Sequence, residues 1–114
     1  MLLGYEFAHL GINSSDSVTA DKIAYTFKSA FDFNNKDNNE SVFSTDHIEI
    51  LKRPYLGELG HISIRTNCID IAINDLEKKG FSVNMKTANY KADKLISIYL
   101  NEPIGGFAIH LLQK

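Results

Sequence analysis

The sequence predicts an α+β domain in which the element order β-α-β-β-β occurs twice. Two segments share one pattern, Phe7-Ala8-His9-Leu10-Gly11-Ile12 and Leu59-Gly60-His61-Ile62-Ser63-Ile64, and their histidines are 52 positions apart. Each segment leads through a polar break into a helical pattern, and short apolar stretches follow each helix. We therefore expect one domain over 1–114, with module one at 5–52, a linker at 53–59 and module two at 60–114.

The first module is predicted to begin with a strand over 7–13, followed by a polar stretch that can cap a helix. Apolar residues at helical spacing predict a helix from about Thr19 to Phe31. The asparagine-rich segment 34–39 is expected to be a turn or an irregular short strand. Alternating residues then predict two strands, 41–45 and 47–52, which are joined at Asp46. Residues 53–60 are predicted to connect the second of these strands to the second module.

The second module repeats this order. A strand over 61–66 leads into a predicted helix over 69–79, which ends in two lysines before Gly80. Three strands are expected after it, over 81–85, 95–100 and 107–112. Pro103 and the glycine pair at 105–106 separate the last two.

Charge and composition exclude several classes of partner. The net charge of −2 and the isoelectric point near 6.0 give no reason to expect nucleic acid or an anionic membrane surface. No apolar run approaches the ~20 residues of a membrane-spanning helix, and the N-terminus lacks the features of a signal peptide. The single cysteine, Cys68, cannot form an internal disulfide and is interpreted as a small buried or helix-start residue rather than a nucleophile. We therefore expect a cytoplasmic protein.

Residue parity places four ionisable side chains on one face of the sheet. Successive side chains of a strand point to opposite faces, and each of the four strands concerned has an aliphatic set on one face. The opposite faces carry, strand by strand, Phe7, His9 and Gly11; His47, Glu49 and Leu51; His61, Ser63 and Arg65; and Ala108, His110 and Leu112. His9, Glu49, His61 and His110 are therefore expected to share a face.

Two interpretations of that face are open. A half-exposed sheet normally carries polar residues on its solvent side, so the histidines can simply be solvated. However, most of their same-face neighbours are small or apolar, and His9 corresponds to His61 as Glu49 does to His110. A curled sheet would aim all four inward. Neutral imidazole and carboxylate are suitable ligands for a divalent transition metal such as zinc, nickel, manganese or iron.

The segments Phe7 to Asn13, His47 to Leu51 and Gly60 to Ile64 resemble the vicinal oxygen chelate superfamily, which includes glyoxalase I, fosfomycin-resistance proteins, methylmalonyl-CoA epimerase and extradiol dioxygenases. The resemblance covers the whole chain. It implies two βαβββ modules in a U-shaped mixed sheet with helices on the outer face, a divalent metal in the hollow, and a homodimer. It also implies the metal ligands His9, Glu49, His61 and His110.

A narrower resemblance concerns three segments, Phe7 to Asn13, Arg53 to Gly57 and Ile104 to Lys114. They are similar to the small C-terminal domain of some bacterial 2-keto-3-deoxy-6-phosphogluconate (4-hydroxy-2-oxoglutarate) aldolases. Such a domain lacks the aldolase barrel and its Schiff-base lysine, so it would not perform the aldol chemistry itself.

One position differs from the superfamily pattern. The final-strand ligand is usually Glu in glyoxalase-type members, whereas this chain has His110. Glu49 is then the one carboxylate of the set, and Glu49 or His110 is expected to act as general base. His47 and Arg65 are expected to meet a substrate carboxylate or phosphate, or to be solvated at the rim. Ser63 and Tyr99 are expected to line the hollow, although Tyr99 can equally serve packing.

Three functions follow as hypotheses. The first is a metal-dependent lyase or isomerase acting on a small keto- or hydroxy-acid-like metabolite. The second is a non-catalytic metabolite-binding or regulatory module associated with a sugar-acid aldolase. The third is a purely structural fragment with solvent-facing histidines. Exposed sheet edges, like the superfamily resemblance, predict a homodimer.

Overall fold

The computed structural model describes residues 2–114. They form eight strands, two helices and the loops that connect them. The elements are β1 Glu6–Ile12, α1 Ser17–Phe31, β2 Asn35–Asp37, β3 Ser41–Ser44, β4 Ile48–Leu51, β5 Gly60–Thr66, α2 Ile69–Lys78, β6 Val83–Lys91, β7 Lys94–Leu100 and β8 Phe107–Gln113. The order β-α-β-β-β does occur twice, which confirms the predicted α+β class.

The strands form one open mixed sheet in the order β2-β3-β4-β1-β5-β8-β7-β6. Within each half the first strand pairs in parallel with the last, β1 with β4 and β5 with β8. The two halves meet where β1 pairs antiparallel with β5. As a result, the four strands that carry the candidate residues are adjacent at the centre of the sheet.

Each half has its own apolar core between a helix and the sheet. The first core contains Ala20, Ala24, Val42 and Ile50, and the second contains Ile69, Ala72, Ile98 and Leu111. Full burial of one such isoleucine stabilises the fold by about 1.5–3 kcal/mol. No helix within residues 2–114 combines the length and apolar character needed to cross a bilayer.

Two elements in the outer strands differ from the sequence prediction. The segment 34–39 was expected to be a turn or an irregular short strand. It contains a short strand, β2, that pairs with β3. β6 extends to Lys91 rather than ending at Met85, and a two-residue turn at Ala92 and Asp93 joins it to β7. Both turn residues have positive φ, as in the tight turns that suit hairpins. The extension was missed because this exposed edge strand is polar and its register is irregular.

A bulge in β1 changes the predicted face of one residue. Phe7 is opposite Ile64 and His9 is opposite Ser63, which leaves Ala8 as an extra residue. Because directly opposed residues of an antiparallel pair share a face, Phe7 lies on the face of Ile64 and not on that of His9. The prediction that Phe7 and His9 share a face was therefore wrong. Strict alternation resumes after the bulge.

Candidate metal centre

Three of the four predicted ligands converge on one point at the centre of the sheet. The Nε2 atoms of His9 and His61 each lie 3.2 Å from Oε1 of Glu49. The two Nε2 atoms are 3.3 Å apart. His61 is almost fully buried, and His9 and Glu49 are mostly buried. The three donor atoms thus form a nearly equilateral triangle.

Gly11 makes this convergence possible. It is the direct partner of Glu49 on β4 and of His61 on β5, so it lies between the two strands that supply them. A Cβ atom on Gly11 would lie only 2.0–2.7 Å from three atoms of the His61 ring. The imidazole therefore occupies the space that any side chain at position 11 would fill.

The Glu49 carboxylate is fixed from both sides. Its Oε2 accepts a hydrogen bond of 2.9 Å from Oγ of Ser41, a buried residue on β3, while Oε1 faces the two histidines. Burial by itself would raise the pKa of Glu49. Hydrogen bonds from the histidines and from Ser41 outweigh burial and hold that pKa well below its usual value. Glu49 is therefore an anionic oxygen donor at neutral pH.

His9 is oriented by its neighbours on β5 and β3. Oγ of the fully buried Ser63 lies 3.0 Å from Nε2 of His9. The ring of Phe43 meets the His9 imidazole edge-on, with the ring centres 5.4 Å apart. Ser63, which is expected from the sequence to line the hollow, is not among the residues that line the cavity and instead contacts the metal-facing nitrogen of His9.

His110 lies beside this triangle rather than within it. Its ring stacks on Tyr99, with centres 4.1 Å apart and planes 5° apart, and its centre is 5.8 Å from that of His61. Its Nδ1 is buried and has no hydrogen-bond partner within residues 2–114. Burial, together with repulsion from His61 and His9, lowers the pKa of His110 to about 4. Its imidazole is therefore neutral at pH 7.

The triangle opens into a cavity of about 380 Å³. Its lining includes His9, Glu49, His61 and His110 together with Tyr99, Leu51, Glu40, Arg53, Pro54 and Tyr55. Glu40, Arg53 and Tyr55 were not among the site residues predicted from the sequence. The segment 53–60 is predicted to be a connection, and neither its composition nor the narrower resemblance of Arg53 to Gly57 indicates that it folds back over the sheet. The reciprocal hydrogen bonds that bring it there come from Asn13, 42 positions away from Tyr55.

His47 and Arg65 are not among the residues that line this cavity. His47 precedes β4, and its Nδ1 lies 3.3 Å from the carbonyl oxygen of Ala8 in the bulge. Arg65 is near the far end of β5, where its guanidinium forms an ion pair of 3.2 Å with Glu6. A larger open groove of about 1230 Å³ lies between α2 and the β6–β7 hairpin, and its lining contains none of the predicted site residues.

The donor set fits a divalent transition metal. Two imidazole nitrogens and one carboxylate oxygen are a common combination in catalytic zinc and non-haem iron sites. With metal–ligand bonds of about 2.0–2.2 Å, neighbouring donors are roughly 3 Å apart, as the three atoms are here. Ser41 supplies Glu49 with the kind of surrounding hydrogen bond that metal ligands normally have, whereas Ser63 contacts the metal-facing Nε2 of His9 itself.

The βαβββ order of both halves and the single mixed sheet are consistent with the glyoxalase-like fold. No family model and no curated protein matches the chain. Among solved structures, methylmalonyl-CoA epimerase from Mycobacterium tuberculosis has 16% sequence identity, with a TM-score of 0.62 over 98% of this chain and 89% of that one. A methylmalonyl-CoA epimerase solved with methylmalonyl-CoA and NH4+ has 16% identity and a TM-score of 0.64 over 100% and 96%. A hypothetical protein from Bacillus halodurans C-125 has 14% identity and a TM-score of 0.65 over 97% and 95%. At these identities the similarity shows a common fold.

Proposed function

We propose that this protein is a divalent-metal-dependent, glyoxalase-like lyase or isomerase that acts on a small keto- or hydroxy-acid-like metabolite. The observation that carries the proposal is the convergence of His9, Glu49 and His61 at the base of an open cavity. A solvated sheet face would not require two histidines and a carboxylate to lie within 3.3 Å of one another. The structural similarity supplies an independent reason to consider small-molecule chemistry.

The residues of the cavity have distinct proposed roles. His9, Glu49 and His61 hold the metal, which when bound would act as a Lewis acid toward two vicinal oxygens of the substrate. Zinc, nickel, manganese and iron all suit these donors. Ser63 lies beside the metal-facing nitrogen of His9, and Tyr99 forms a wall of the cavity.

Proton transfer is assigned to His110 or to Glu49. The His110 imidazole lines the cavity, so it is placed to accept a proton from a substrate carbon. The Tyr99 ring stacked on it fixes the plane of the imidazole. Oε1 of Glu49 is the second candidate acceptor when it is not a ligand. We do not extend the proposal to His47 and Arg65, because neither reaches the cavity.

Metal-dependent proton exchange tests this function. The protein loaded with Mn²⁺, Ni²⁺ or Zn²⁺ is incubated in D₂O with 2-oxobutyrate or with methylmalonyl-CoA, and loss of the proton next to the carbonyl is followed by NMR. Methylmalonyl-CoA is included because two of the structural neighbours are its epimerases. We expect exchange above the buffer rate that EDTA and His61→Ala abolish and His47→Ala retains. Exchange at the buffer rate with every metal and both compounds would contradict catalysis.

Metabolite binding without catalysis is the second candidate function, and the position of His110 favours it. His110 stacks on Tyr99 outside the donor triangle, and Glu49 is the single carboxylate among the predicted ligands. In this case the domain would bind a keto acid and associate with a sugar-acid aldolase, as the narrower sequence resemblance implies. Tight binding of 2-oxobutyrate without proton exchange, together with complex formation with a 4-hydroxy-2-oxoglutarate aldolase, would select this function.

We also propose that the protein is a cytoplasmic homodimer. β2 and β6 are the outer strands of the sheet, and β6 exposes Met85 and Tyr90. Open edges with apolar side chains are usually covered in natural proteins. Light scattering after size-exclusion chromatography should give about twice the mass of the chain. A monomer at micromolar concentration would contradict the dimer.

A further inference from the structure

The linker segment Arg53-Pro54-Tyr55 forms one wall of the cavity and brings a cationic side chain to it. We propose that Arg53 binds a second, anionic group of the substrate, a carboxylate or phosphate, separate from the oxygens at the metal. This inference rests on the proposed function, because it takes the metal site as the position of the other end of the substrate. It assigns a residue that determines substrate specificity.

The position of Arg53 is fixed by the local backbone. Pro54 restricts the preceding residue to extended conformations, so the Arg53 backbone has little freedom. Asn13 then holds the segment in place: its Nδ2 donates to the carbonyls of Tyr55 and Gly57 at 3.2 and 3.0 Å, and its Oδ1 accepts from the Tyr55 amide at 3.2 Å. A mobile connection would not need this bracing.

Aromatic contact joins the same segment to the candidate site. The Tyr55 ring meets Tyr99 edge-on with centres 5.5 Å apart, and Tyr99 stacks on His110. The linker segment therefore continues directly into the part of the cavity wall formed by Tyr99. A substrate held at the donor triangle would share the cavity with Tyr99 and Arg53.

The charge of Arg53 is available for a ligand. Within residues 2–114 its guanidinium has no ion pair and no hydrogen bond, whereas Lys52 is paired with Asp37 and Arg65 with Glu6. Arg53 is also the one arginine or lysine in the cavity lining. Glu40 lines the same cavity, and neither it nor Arg53 takes part in an ion pair among the described residues. A guanidinium presents a planar set of donors that matches carboxylate or phosphate oxygens.

Two probes of equal carbon-chain length test the proposal. 2-Oxoglutarate and 2-oxovalerate share a keto-acid end for the metal, but only 2-oxoglutarate has a distal carboxylate. Affinities for the Mn²⁺-loaded protein are measured by calorimetry for wild type, Arg53→Gln and the control Arg65→Gln. A charge-assisted contact should give wild type a preference of roughly 10-fold or more for 2-oxoglutarate. The preference should fall to within about 3-fold in Arg53→Gln and persist in Arg65→Gln.

A third probe, 2-oxo-4-phosphonobutyrate, separates carboxylate from phosphate as the preferred anion. A stronger Arg53-dependent preference for the phosphonate identifies a phosphate-like group, and a stronger preference for 2-oxoglutarate identifies a carboxylate. Equal wild-type affinities for probes with and without a distal anionic group, or an unchanged preference in Arg53→Gln, would overturn the proposal while leaving the metal site intact. Failure of the wild-type protein to bind Mn²⁺ in a direct titration would overturn the proposed function, and this inference with it.

Discussion

Gly11 and His61 are directly opposed on β1 and β5, and the His61 imidazole fills the place of the missing side chain at position 11. Glu49 is the partner of Gly11 on its other side. A glycine between the two strands therefore allows an imidazole to lie across β1 and reach the carboxylate. The donor triangle depends on this absent Cβ as much as on the ligands themselves.

Gly11→Ala should displace the His61 ring, because the new methyl group would lie within 2.0–2.7 Å of ring atoms. Loss or misplacement of one ligand is expected to weaken metal binding by roughly 10- to 100-fold or more. Competition with a chromophoric chelator measures the affinity.

Gly80→Ala is the matched control. A Cβ there would have no atom within 4 Å, but its φ of +95° is unfavourable for alanine. This variant should lose stability and keep wild-type metal affinity. Wild-type affinity in Gly11→Ala would show that His61 does not depend on this space.

Ser41→Ala should weaken metal binding by about 10-fold, because it removes the hydrogen bond that orients Oε2 of Glu49. Ser44 on the same strand provides the comparison: it is fully buried, and its Oγ has no hydrogen-bond partner in the described part of the chain. Ser44→Ala should therefore be neutral or slightly stabilising and leave metal affinity unchanged. Equal affinities for the two variants, measured by the same chelator competition, would argue against a supporting role for Ser41.

The stability of the metal-free protein should fall as the pH drops from 6.5 to 4 because of His110. Its pKa is lowered from 6.5 to about 4 in the folded state, so the unfolded chain binds a proton first. Above pH 6.5 both states are neutral and His110 contributes no pH dependence. Below it, unfolding is favoured by up to about 3 kcal/mol.

The lowered pKa of Glu49 affects the stability of the protein in a lower pH range. Its contribution is present above the usual value of 4.5 and is lost only as the pH falls further, through the folded-state pKa. Urea unfolding in EDTA at pH 7 and 4.5 therefore avoids most of the Glu49 contribution, and a variant of His110 identifies its share of the difference. His110→Gln should lose most of the difference between the two pH values, whereas His47→Gln should retain it. An undiminished difference in His110→Gln would exclude His110 as its source.

Asn13→Ala should make the linker segment Arg53-Pro54-Tyr55 less firmly held beside the cavity. It removes three hydrogen bonds to Tyr55 and Gly57, which predicts a loss of about 2–3 kcal/mol in the free energy of unfolding. It should also reduce the preference for 2-oxoglutarate over 2-oxovalerate. Asn101→Ala, which removes two hydrogen bonds at the β6 edge, should cost stability without changing that preference. A preserved preference in Asn13→Ala would mean that Arg53 needs no bracing.

The sequence was sufficient to predict the order of elements because each is encoded locally. Period-two alternation identified the central strands, and apolar spacing identified both helices. The repetition of the His9 segment around His61 also indicated which strands are equivalent, and the structure pairs them side by side. Parity then placed the three converging donors on one face.

Features that depend on distant contacts were not predictable. The bulge at Ala8 inserts one residue without any sequence signal and moves Phe7 to the other face. The return of Arg53 over the sheet depends on the distant Asn13, so a search of neighbouring residues does not find it. His110 occupies the expected strand, but its stacking on Tyr99 is a property of the folded cavity.

The metal content of the native protein tests the central claim most directly. Protein purified without chelator should contain about one divalent ion per chain by elemental analysis, and His61→Ala should contain almost none while His47→Ala remains loaded. Wild-type protein with well under one ion per chain that also binds none on titration with zinc, nickel, manganese and iron would contradict a metal site formed by His9, Glu49 and His61.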